Sequence, residues 1–76
     1  MTDEDKQKYI AYLTLRSELE NAKRRGAELY LDGRKREAEY IASACVFNDN
    51  ADYMCDYVTD SSGALGELKF NRVQNR

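Results

Sequence analysis

The first third of the chain carries the instructions for one amphipathic helix, and that helix dictates what the rest must do. In TDEDKQKYIAYLTLRSELENAKRRG, residues 2 to 26, Thr2 stands where an N-cap belongs, with Asp5 three positions on in a loose capping box. Asp3, Glu4 and Asp5 occupy the first turn, where the helix dipole favours anions. Lys23, Arg24 and Arg25 occupy the last, where it favours cations. Gly26 follows as the left-handed terminator. At about 100° per residue, Tyr9, Tyr12, Leu13, Leu15, Leu19 and Ala22 fall on one broad face, opposite Thr14, Ser17, Glu18, Asn21 and Arg25. An apolar face of that breadth needs a cover, and the residues after Gly26 must supply it.

Their patterning predicts a small sheet. Residues 52 to 59 alternate, with Tyr53, Cys55 and Tyr57 on one side and Asp52, Met54, Asp56 and Val58 on the other. DSSGALG makes a loop, and residues 67 to 73 alternate again, Leu68 and Phe70 against Glu67, Lys69 and Asn71. Together they read as a hairpin with one dry and one wet face, Asp56 pairing with Lys69 on the wet side. Tyr53, Cys55, Tyr57, Leu68 and Phe70 are the expected seat of the first helix, and most of the six tyrosines are expected in the core. Leu29 and Leu31 alternate with Tyr30 in a short strand closed by the turn Asp32-Gly33. From Arg34 to Phe47 the reading divides. Ala38, Ile41, Ala42, Ala44 and Cys45 share a face at helical spacing, yet YIASACVF also alternates as a strand would. Helix is preferred, and a four-strand meander on the first helix is the competing picture. NDN at 48 to 50 breaks the element. The expected fold is α+β, a long N-terminal helix packed on a small antiparallel sheet in the order α-β-α-β-β.

Length then bounds function. Seventy-six residues make one domain, spanning 1 to 76, with residues 74 to 76 expected to fray. Chains this short bury only about 60% of their unfolded surface. The 42% apolar content suffices for a small core, and a net charge of −2 argues against disorder. No apolar run approaches the roughly 18 residues of a membrane span. MTDEDKQKY is the reverse of a secretory or transit leader, so a cytoplasmic location with reduced cysteines is expected.

Candidate chemistry is sparse. Two cysteines, Cys45 and Cys55, and no histidine cannot make the four-ligand zinc site that Cys and His build. A Cys45–Cys55 disulfide is possible across the NDN turn, but a cytosolic setting opposes it. With no histidine, neither thiol has the usual base, and buried apolar thiols are the default reading. NDNADY mimics the start of a calcium loop, but Tyr53 stands where glycine is required and Thr59 where the bidentate glutamate belongs. No glycine-rich phosphate loop is present. The expectation is a non-enzyme with no catalytic residue, no metal and no cofactor.

Charge segregation and stray apolar groups point instead to a surface. From Lys23 to Arg36 six cations (Lys23, Arg24, Arg25, Arg34, Lys35, Arg36) outweigh Glu28 and Asp32. From Asp49 to Asp60 there are four aspartates and no cation. The plain reading is a solvated helix end and turn beside loop aspartates. The functional reading is a dipolar surface that steers encounter with a partner. Tyr30, Met54 and Val58 face away from the expected core and complete the candidate interaction surface with the six cations. The leading expectation is therefore a protein-interaction module, an adaptor or inhibitor of the kind phages and other mobile elements make. It would dock on a protein partner or on a second copy as a homodimer. Nucleic-acid binding by the basic residues 23 to 36 is the alternative, and no membrane association is expected.

Overall fold

A computed structural model describes residues 2–48 and 52–73 of the chain. Its elements are α1 (Asp3–Arg24), β1 (Glu28–Leu31), β2 (Arg34–Lys35), α2 (Ala38–Phe47), β3 (Asp52–Thr59) and β4 (Leu65–Val73). The fold is α+β in the order expected, with one added two-residue strand. Positions 49 to 50 of the NDN break and the tail 74 to 76 lie outside the described residues.

Both ends of α1 form as their residues dictate. Thr2 Oγ1 accepts from the Asp5 amide at 3.2 Å. At the other end Gly26, at φ 98°, turns the chain. The Ala27 amide then reaches back to the Ala22 carbonyl at 3.0 Å and the Gly26 amide to that of Lys23 at 3.0 Å. This is the paired bonding of a Schellman terminus, and Ala27 is buried beneath it. The residue that follows is already strand. Asp32 and Gly33, at φ 51° and 82°, form the two-residue connection between β1 and β2. Two successive positive φ values are what a right-twisted hairpin needs.

The four strands lie in the order β2-β1-β4-β3. β3 and β4 pair antiparallel, with Cys55 opposite Phe70 and Asp56 opposite Lys69. β1 pairs parallel with β4, Leu29 beside Leu68 and Leu31 beside Phe70. The sheet is thus mixed, where the sequence predicts a wholly antiparallel one. The chain leaves β1 through β2 and crosses by way of α2 before β3 and β4 form, which brings β4 back alongside β1 in the same direction.

Segment 38–47 is helix, and the meander does not form. Its buried residues Ala38, Ile41 and Ala42, with Ala44 and Cys45 packed at their side, are the face that helical spacing predicts. They meet Leu19 of α1 and the sheet residues Leu29, Leu31, Leu68 and Phe70 in one core. Both helices therefore cover the same sheet face, not α1 alone. Their reach is limited. Tyr57 has the expected register but is 72% exposed, because it lies beyond the helices. The α1 face is narrower than expected too. Tyr12, Leu15, Leu19 and Ala22 pack inward, while Tyr9 and Leu13 stay exposed. Among the tyrosines, Tyr12 and Tyr53 only flank the core.

Candidate interaction surface

With both helices on one side, the other side of the sheet is open. Cross-strand register places Lys35, Tyr30, Lys69 and Asp56 in one row across all four strands. Glu28, Glu67 and Val58 form the row on one side of it, and Asn71 with Met54 the row on the other. Met54 is 59% exposed and Val58 37%. Tyr30, Met54 and Val58 do share a face as expected, but β4 runs between Tyr30 and the other two. Strand spacing sets that separation at about 10 Å. Lys35 Nζ sits 2.6 Å from Glu28 Oε2, and the carboxylate raises its pKa. Lys69 Nζ lies 3.5 Å from Glu67 Oε1, so the ammonium turns along its own strand although its register partner is Asp56.

The six cations do not form one patch. Lys23 Nζ donates to Glu37 Oε2 at 3.0 Å. The Arg36 guanidinium lies 4.6 Å from the centre of the Tyr40 ring, within cation–π range. Lys23, Lys35 and Arg36 line a cleft of about 380 Å³ at the end of α1, which Glu28 and Glu37 also enter. Arg24 and Arg25 point into other depressions, Arg24 beside Glu20 and Glu39, Arg25 beside Glu18 and Leu65. Arg34 sits on β2 at the sheet edge. Neither Glu37 nor the Glu28 contact is visible in a charge count of the basic run, because both acids reach it through the fold.

Both thiols are free and half-buried. Burial and the proximity of Cys55 push the Cys45 thiol up to about 11, and burial raises Cys55 as well. Each is held neutral at pH 7, which suits packing better than nucleophilic attack. Among the described residues no three of His, Cys, Asp or Glu gather as a metal site would require. Nor is any described helix long and apolar enough to cross a membrane.

A second exposed apolar strip escaped the sequence reading. Tyr9, Ile10 and Leu13 stand out from the N-terminal half of α1. Tyr9 stacks on Tyr12 at 6.3 Å between ring centres, and Tyr12 meets Phe47 at 5.6 Å. The signal was present in the breadth of the apolar arc on α1, wider than one sheet face can cover. Compared with protein-family models, with curated proteins and with solved structures, the chain matches none.

Proposed function

We propose that the protein is a non-enzymatic interaction module that docks on another protein through the open sheet face. The observation that carries this reading is the one-sided placement of the helices. It leaves a half-buried Tyr30 between the Glu28–Lys35 and Glu67–Lys69 pairs, with Met54 and Val58 exposed on the far side of the second pair. Apolar contacts with a charged rim are the usual anatomy of a protein interface. A cytoplasmic setting suits two reduced thiols. The test is a pull-down with wild-type bait and with Tyr30→Glu/Met54→Glu bait, whose folding is checked by circular dichroism. Specific partners held by the wild type and released by the folded double variant support the reading. Identical captures by the two baits would overturn it.

Nucleic-acid binding draws less support, because Lys23 and Lys35 are engaged by Glu37 and Glu28 and Arg36 rests on Tyr40. Duplex binding whose affinity falls by roughly 0.9 log units per log unit of salt for each phosphate contact would restore it.

A further inference from the structure

The two edges of the sheet are unlike each other. Exposed edges invite pairing with another chain, and proteins guard them with short strands, charged side chains (lysine above all), proline, bulges or an inward charge. β2 is guarded, being two residues long with both of them cationic. β3 is guarded far less. It runs for eight residues with no lysine, arginine or proline, its core-side positions Tyr53, Cys55 and Tyr57 are uncharged, and its only charges are Asp52 and Asp56 on the open face. Its register is irregular only at the far end, between Val58 and Thr59. Among the described residues β4 is the only strand beside it. Tyr57 and Met54, the two most exposed large apolar side chains on it, project on opposite faces of this same edge.

Symmetry decides how a second copy can dock there. Antiparallel pairing about a two-fold axis normal to the sheet keeps each side chain on its own face, so odd residues oppose odd and even oppose even. An axis at Met54 sets Asp52 against the partner copy's Asp56, and an axis at Asp56 sets that carboxylate against its own mate. Like charges directly opposite are destabilising. Axes at Tyr53 or Tyr57 leave short overlaps. An axis at Cys55 overlaps residues 52 to 58 and opposes no two carboxylates. It lays Tyr53 beside Tyr57, Met54 beside Asp56 and Asp52 beside Val58. We infer that two copies of the chain pair β3 to β3 about Cys55, joining their sheets into one eight-stranded sheet with all four helices on one face. The inference goes beyond the docking reading, since it uses the β3 edge and not the open face and takes a second copy as its partner. Asp56 of each copy lies diagonal to its mate, so added salt screens a repulsion and tightens the dimer.

Directly opposed residues have Cα atoms about 4.5 or 5.5 Å apart, both within disulfide range. Diamide therefore reports the register: two thiols give up two hydrogens to the diazene, which becomes the hydrazine, as one S–S bond forms. In Cys45→Ser protein, Cys55 should shift the non-reducing band from 8.8 kDa to twice that mass. In a Cys45→Ser/Cys55→Ser background, Asp52→Cys alone should stay at the lower band, and Asp52→Cys with Val58→Cys should shift. Sedimentation equilibrium should show a dimer that sodium chloride strengthens and that Tyr57→Lys, at an exposed site, abolishes while the fold persists. A monomer at every concentration overturns the inference. So does a dimer that Tyr57→Lys leaves intact, that salt weakens, or that crosslinks through Asp52→Cys alone. A monomer whose bait still loses partners in Tyr30→Glu/Met54→Glu sinks only the dimer, leaving the docking reading in place.

Discussion

Replacing Ile41 by alanine should remove about a third or more of the stability of this fold. Ile41 is 0% exposed, at the point where α2 meets α1 and the sheet. The change deletes three carbons, worth about 2.4 kcal/mol at roughly 0.8 kcal/mol per buried methylene. Incomplete collapse around the gap places the total near 3 kcal/mol, inside the usual span of about 2–5 for such truncations. A chain of 76 residues is expected to hold only about 4–11 kcal/mol in all. At about 4–8 °C per kcal/mol for a domain of this size, the melting temperature should fall by about 12–24 °C. Thermal melts followed by far-ultraviolet circular dichroism, at one fixed protein concentration, read this directly. Ile10→Ala is the matched control. It makes the same change in a helix where the side chain is 61% exposed, so the gain in helix propensity cancels and the shift should stay within about 0.5 kcal/mol. If Ile41→Ala proves too unstable to melt cleanly, Ile41→Val should still lose about 0.5–1.5 kcal/mol. Equal melting shifts for Ile41→Ala and Ile10→Ala would refute the core assignment.

Gly33→Ala forces a side chain onto φ 82° and should destabilise by about 1 kcal/mol, measured by urea denaturation. Asp32→Ala loses the bond its Oδ1 accepts from the Arg72 amide at 2.9 Å, along with an αL-tolerant residue, and should lower stability by about 1–2 kcal/mol. Thr2→Ala removes the N-cap and should lower it by about 1 kcal/mol, with fraying confined to the first turn of α1 in amide exchange. The folded state holds the Cys45 proton more tightly than the unfolded state does. Stability should therefore decline as pH rises from about 9 to about 11, and Cys45→Ala should flatten that part of the pH profile.

What could be read in advance was whatever neighbours along the chain decide. The caps of α1 depend on Thr2, Asp5 and Gly26 alone, and the β1–β2 turn on Asp32 and Gly33, so both were legible. The β3–β4 register was legible too, since alternation leaves few ways to seat Cys55 against Phe70. Segment 38–47 was ambiguous because its alanines satisfy both periods. Burial of Ile41 and Ala42 against Leu19 decides for helix, and that contact lies far away in sequence. The parallel pairing of β1 with β4 was hidden for the same reason. Local pattern says which face of a strand is dry and nothing about which strand lies beside it.

The same division explains why the candidate surface was only half legible. Parity assigns Tyr30, Met54 and Val58 to the open face, and parity is a local property. The basic run is a tally of charge, and a tally does not survive folding. Glu37 enters from the start of α2 to meet Lys23, and Glu28 reaches across the hairpin to meet Lys35. An edge is less local still, because it belongs to the order of strands in the sheet. In the sequence β3 looks like half of an ordinary hairpin. It becomes an open margin only because β1 takes the other side of β4 and leaves β3 outermost among the described strands. Seating the β1–β2 hairpin against the outer side of β3 instead of against β4 would keep every alternation and every turn while burying that margin. The strand order, more than any residue type, is what exposes this chain to a second copy of itself.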